Sequence, residues 1–323
     1  MQAFLRGSDV MAVLQQARRV SPRTWIAVAA VCALMALVLP ATWSYSGRLF
    51  YAAGAAAGFP LFFAVGLAVM LWMPGSRSLR FRRSALAVSL LAVAVECLQA
   101  VTGRDPRWMH GLVLVVGGVA GILWEEGSHS ARRWRFLATR GLVLLLALLA
   151  GLPVALVMAD RSQAYLSFPL LSSFEGRSEV GRWWSHNCRM GRVASQATHG
   201  RHALRVVVLK SRSRYPGLFM NDVPRDWSGY PRLCLDVYLA GSAERALWIR
   251  ADDRPGYPPY DDRAQTMIYL SPGANSVCLD LASFLVTPSG RPLDRTHIAR
   301  WGLFLDDARG GETLFLDHIR LVP

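Results

Sequence analysis

Hydrophobic and polar positions divide the chain near residue 160. Before it, apolar residues run almost unbroken through five stretches, at 24–41, 49–73, 84–101, 108–124 and 141–159. Each is close to the ~20 residues that a helix rising ~1.5 Å per residue needs to cross a ~30 Å hydrocarbon layer. After it, short alternating stretches are punctuated by Gly, Pro, Asp and Ser, a pattern that predicts antiparallel strands. Strands are expected at 203–210, 217–220, 233–240, 245–251, 265–270, 276–281, 298–305 and 312–321. In the third of these, Leu233, Leu235, Val237 and Leu239 fall on alternate positions, so one face is buried. Eight short strands suit a jelly roll around one core. The expected fold class is multi-domain α + β: a helical transmembrane bundle of about five helices followed by an antiparallel β-sandwich. Its expected parts are an N-terminal segment over 1–23, the transmembrane domain over 24–159, a short linker over 160–172 and the sandwich over 173–323.

Charge adds an orientation. Arg6, Arg18, Arg19 and Arg23 precede the first apolar stretch, Arg77, Arg80, Arg82 and Arg83 separate the second from the third, and Arg132, Arg133, Arg135 and Arg140 separate the fourth from the fifth. The other connections hold only Arg48, and Arg104 with Arg107. The positive-inside rule then predicts a cytoplasmic N-terminus and, after five crossings, an exported sandwich: a multi-pass protein of a bacterial inner membrane with its C-terminal domain in the periplasm. The net charge of +14 is mostly this topology, since residues 1–159 carry fifteen arginines against five acids. An excess spread over short loops facing anionic lipid argues against nucleic acid as a partner. The first apolar stretch is long and lacks a small-residue cleavage site, so it is expected to stay as an anchor.

An acid inside a membrane helix is a candidate for function, because lipid offers it no partner. Glu96 is such an acid, and Gln99 lies one turn further along the same face. Folding the next hairpin is expected to bring Glu96, Gln99, Arg104, Arg107 and His110 together near the outer membrane face. Two readings stay open: a polar pocket for a lipid head group or sugar-lipid, or an ion pair that locks the hairpin. Gly117-x-x-x-Gly121 and Gly54-x-x-x-Gly58 predict close helix contacts. The run Glu96-Cys-Leu-Gln99, then Gly103-Arg104, then Gly117-Gly118-Val-Ala-Gly121 resembles the VanZ-like family of membrane proteins, named after a glycopeptide (teicoplanin) resistance factor, over about residues 20–130. The resemblance implies a cell-envelope setting. His110 and Leu114 stand where that family's pattern has an Asp and an Asn, which puts any activity of those two residues in doubt.

In the exported half, Cys188, Cys234 and Cys278 are expected in an oxidising space. Leu233-Cys-Leu-Asp236 and Val277-Cys-Leu-Asp280 place Cys234 and Cys278 alike in two similar strands, making them the candidate disulfide; three free thiols is the alternative. The loop from Arg250 through Asp252, Tyr257, Tyr260 and Asp262 to Arg263 mixes aromatic planes with carboxylates and guanidinium groups, the kit of a sugar site. A solvated hairpin held by its own Asp–Arg pairs is the competing reading. Phe174-Glu175-Gly176, Gly200 to Val206, Trp227-Ser-Gly-Tyr230 and Leu314-Phe-Leu-Asp317 make the domain similar to galactose-binding-like β-sandwiches of the carbohydrate-binding-module type. That resemblance implies a structural calcium held by Glu175 and Asp317, whose carboxylate oxygens suit a hard cation, with a surface Glu and a turn Asp as the alternative. No other cofactor is expected, and no nucleophile elbow or phosphate loop is present.

The expected function is non-catalytic recognition or handling of envelope polysaccharide or lipid-linked glycan, with membrane lipid as a further partner. Two alternatives remain: a membrane enzyme or transporter working through Glu96, Gln99 and Arg104, and a scaffold that binds another envelope protein.

Overall fold

A computed structural model of the chain describes residues 47–101, 108–130, 132–210, 215–220, 222, 224–256, 258–306 and 310–323. The predicted first apolar helix, Arg104, Arg107 and Tyr257 lie outside them. The chain is a helical bundle followed by an antiparallel β-sandwich, in two compact units built on Phe50–Ala155 and Leu156–Pro323.

Four described helices are long and apolar enough to cross a membrane: α1 (Arg48–Trp72), α2 (Arg77–Val101), α3 (Trp108–Ser128) and α4 (Arg133–Ser167). α2 and α4 outrun the stretches predicted for them, because Arg77–Arg83 and Arg133–Arg140 are good helix formers that simply continue the helix past its apolar part. At 35 residues α4 is about 52 Å long, well beyond a bilayer core. Glycine sets the packing of α1 on α3. A Cβ on Gly117 would sit 2.5 Å from the Phe59 carbonyl oxygen, and one on Gly66 or Gly121 would collide with the backbone at Gly118 or Phe63. The expected Gly117-x-x-x-Gly121 contact is thus a backbone-to-backbone approach. Among the described residues Gly54 meets nothing within 4 Å, so of the second pair Gly58 alone is in contact there, against Leu114.

Two sheets form the sandwich. One runs β3 (Cys188–Val193), β4 (Ala203–Val208), β11 (Thr313–Val322), β6 (Arg232–Ala240) and β9 (Gly273–Asp280), with β1 (Leu170–Ser172) also paired to β11. The other runs β2 (Trp183–His186), β5 (Gly217–Met220), β10 (Arg300–Leu305), β7 (Arg245–Asp252) and β8 (Ala264–Leu270). All pairings are antiparallel. The core between the sheets holds Trp183, Trp227 and Trp301 with Phe174 and the inward Leu, Ile and Val residues. Trp301 is the hub, edge-on to Trp183 at 5.0 Å and to Trp227 at 6.4 Å, geometries that suit the ring quadrupole. In the C-terminal part of α4, buried Asp160 is held by Arg182 at 2.9 Å.

Candidate functional site

The polar loop predicted as a sugar site is largely turned on itself. Asp252 is fully buried and accepts Arg250 Nε at 2.9 Å, Arg250 Nη2 at 2.8 Å and Arg300 Nε at 2.9 Å. Arg250 is 7% exposed and Arg300 is 6%. The register explains this: Arg300 pairs with Asp252 across β10 and β7, so three charges stack at one corner of the sheet. Arg250 and Asp252 therefore position the strands and offer little to a ligand. Beyond them, Arg291 bridges Asp253 at 2.6 Å and Asp262 at 2.7 Å, Arg254 adds a 2.7 Å bond to Asp262, and Arg263 Nε donates to the Pro258 carbonyl at 2.6 Å. Burial alone would raise the Asp253 carboxyl, but bonds from Arg291 and the Asp294 N–H bring it below the usual carboxylate range. Tyr260 stays 59% exposed and its hydroxyl accepts Gln265 Nε2 at 2.8 Å.

Next to that corner lies a surface that sequence reasoning missed. Within the second sheet, side chains alternate between core and exterior, and the exterior positions are aromatic where polar residues are the norm. Trp184, Phe219, Gly302, Arg250 and Gln265 form one row across the five strands; His186, Gly217, Phe304, Trp248 and Met267 form the next. Each phenylalanine neighbours a glycine on the adjoining strand. A Cβ on Gly217 would come within 2.6 Å of Phe304 Cβ, and one on Gly302 would strike the Phe219 ring, so both glycines leave room that the neighbouring phenylalanines use. Trp248 is nearly parallel to Phe304, 7° between planes at 6.0 Å, and Trp184 stacks on Phe219 at 4.9 Å. Tyr269, 63% exposed, continues the surface along β8, and Tyr215 meets Phe304 edge-on. Five strands ~4.8 Å apart make a face about 19 Å wide. The legible signal was Leu-Trp-Ile at 247–249 and Leu-Phe-Leu at 303–305, where the residue between two core positions is itself aromatic.

Glu175 and Asp317, the implied calcium ligands, both accept backbone N–H groups of the loop at 198–202. Glu175 accepts the backbone N–H of Arg201 and of His202, each at 2.7 Å. Asp317 accepts Thr198 N at 2.7 Å, His199 N at 2.8 Å and His318 N at 2.7 Å. His199 and His318 stack beside them, 4.1 Å apart, and burial together with Arg320 lowers the His318 imidazole. Cys234 and Cys278, paired across β6 and β9, are joined by a disulfide with Cα atoms 4.1 Å apart. Cys188 is a buried thiol, which burial pushes up to about 11.

In the helical unit Glu96 Oε1 and His110 Nδ1 lie 2.5 Å apart, each side chain 16% exposed. Gly111 makes room for this pair, since a Cβ there would stand 3.2 Å from Glu96 Cγ, and Gln99 is buried on the same helix. Among the described residues the partner of Glu96 is His110.

No family model matches the chain, and no curated protein matches it either. Solved structures do. An exo-beta-agarase is 19% identical with a TM-score of 0.39, the match covering 48% of this chain and 24% of that one. A family 11 carbohydrate-binding module from Clostridium thermocellum, solved with a beta-1,3-1,4-mixed-linked tetrasaccharide, is 18% identical with a TM-score of 0.38, covering 47% of this chain and 94% of that one. A family 30 carbohydrate-binding module from the same organism is 13% identical at 0.35, covering 44% and 91%. The chain thus spans about a quarter of the agarase.

Proposed function

We propose that the sandwich is a non-catalytic module that recognises a saccharide of the cell envelope on the outer face of its five-stranded sheet. The observation that carries this reading is the pair of aromatic stacks on one sheet face, Trp184 on Phe219 and Trp248 beside Phe304, with Gly302 and Gly217 as their small cross-strand neighbours. Aromatic rings offer the π-faces that sugar C–H groups stack on, and Tyr260 with Gln265 adds hydroxyl and amide groups at the rim. Recognition fits better than turnover. Glycoside hydrolysis uses one carboxyl kept protonated beside one kept ionised, whereas Asp253 and Asp262 share Arg291 and Asp253 is held ionised. The helical half is read as a VanZ-like domain of a bacterial inner membrane, its arginine-bearing end cytoplasmic and the sandwich periplasmic.

The test is retention of the full chain, in detergent, on insoluble envelope polysaccharide. Trp184→Ala and Trp248→Ala are each expected to weaken binding about tenfold, the size of a lost ring stack plus its buried area. Arg245→Gln, away from the rings, serves as the control. Undiminished retention of both tryptophan variants would overturn the reading.

A further inference from the structure

At one end of the helical unit, three helix termini meet: the start of α2, the end of α3 and the start of α4. Arg77 pairs with Glu126 and also donates to its carbonyl oxygen at 2.8 Å. Glu125 is taken by His129 at 2.9 Å. Both acids of this end therefore have a partner, while Arg80, Arg82, Arg83, Arg132, Arg133 and Arg135 pair with no acid among the described residues, and Arg140 feels the charge of Glu125 without an ion pair to it within 4 Å. Arg140 is held with unusual care. Its guanidinium carbon sits 3.2 Å from the centre of the Trp124 ring and 4.9 Å from that of Phe136, and Nη2 donates to Ser128 Oγ at 2.7 Å. Its Nη1 is nevertheless buried with no acceptor among the described residues, and so is Arg80 Nε. A guanidinium donor withdrawn from water costs free energy unless something accepts from it. Around these arginines the apolar side chains of Trp134, Leu137 and Leu79 are 62%, 57% and 40% exposed.

We propose that this end binds the phosphate of an anionic phospholipid head group, with Arg140 and Arg80 as the ordered contacts and Arg82, Arg83, Arg132, Arg133 and Arg135 as the surrounding field. Three observations converge on a lipid. Forked guanidinium donors match phosphate oxygens. The exposed Trp134, Leu137 and Leu79 interleaved with the arginines belong at the boundary between head groups and acyl chains. A soluble polyanion would meet those apolar groups with no gain.

The test uses the full chain in nanodiscs of phosphatidylcholine, with and without phosphatidylglycerol, and native mass spectrometry to count retained lipid. Phosphatidylglycerol is expected to be retained over phosphatidylcholine. The Arg80→Gln/Arg140→Gln variant is expected to lose that preference by about fivefold per arginine removed. Arg82→Gln/Arg83→Gln, at exposed positions, should lower it less but measurably, and it supplies the reading if the first variant fails to insert. Equal retention of the two lipids, or unchanged retention in the exposed pair, would overturn the proposal. So would displacement of phosphatidylglycerol by millimolar inorganic phosphate, which would make the site one for free phosphate.

Discussion

Asp252→Asn isolates the role of the buried corner. The wild-type carboxylate is 0% exposed and takes both donors of the Arg250 fork and Nε of Arg300, so the substitution keeps the shape and removes the anion. Two guanidinium groups, 7% and 6% exposed, are left facing an amide that can accept only through its oxygen. Removing one partner of a buried ion pair typically costs ~3–5 kcal/mol, and here the corner also fixes β7 against β10. We expect a loss in that range for the sandwich, read as a shift in the denaturant midpoint of tryptophan fluorescence, to which Trp183, Trp227 and Trp301 all report. Replacing all three charges together, as Arg250→Met/Asp252→Leu/Arg300→Met, should recover most of the loss, because well-packed apolar groups often match a buried ion cluster in stability. A loss below about 1 kcal/mol for Asp252→Asn would mean that water reaches the corner and the burial argument is wrong. A triple variant as unstable as the single one would mean that the charges attract more than their desolvation costs.

Three other outcomes are expected. Gly66→Ala should destabilise the helical unit by ~1–3 kcal/mol, since its Cβ would strike the Gly118 backbone and α1 must move off α3; thermal unfolding in detergent measures it. Cys234→Ala/Cys278→Ala opens a 44-residue loop and should cost the sandwich about 4 kcal/mol by the chain-entropy estimate, seen equally when the wild type is reduced. Asp253, held below its unfolded value, contributes stability that is complete above the unfolded carboxylate pKa and is lost as pH falls through its folded value; Arg291→Gln should flatten that acid limb in a pH series of unfolding midpoints.

Much of the architecture was legible because hydrophobic period is a local property. The third predicted strand, 233–240, is β6 less one residue, and the predicted strand 217–220 is β5 to the residue. β2 and β3 escaped because Trp183-Trp184-Ser185-His186 and Arg189-Met190-Gly191-Arg192 lack clean alternation, their outward positions being aromatic, glycine or arginine with long apolar stems. The site was less legible for a related reason. Arg250 and Asp252 looked like ligand groups in a loop, but Arg300, forty-eight residues on, arrives through strand pairing and buries both. Nothing local to 250–263 announces that partner. The aromatic face was hidden in the opposite way, because Trp248 and Phe304 between core residues look like more core until the register shows which way they point.

β11 pairs with β1, β4 and β6, so the first sheet is organised around the strand that the ribosome makes last among them. Until residues 313–322 have emerged, β4 and β6 each present an open edge, and the Cys234–Cys278 bridge can tie only β6 to β9. Folding of the sandwich is therefore a late, all-at-once event, and chains stalled before residue 313 leave β1, β4 and β6 without their shared partner strand. Quality control acting on unpaired edges would distinguish such chains from complete ones without reading anything of their function.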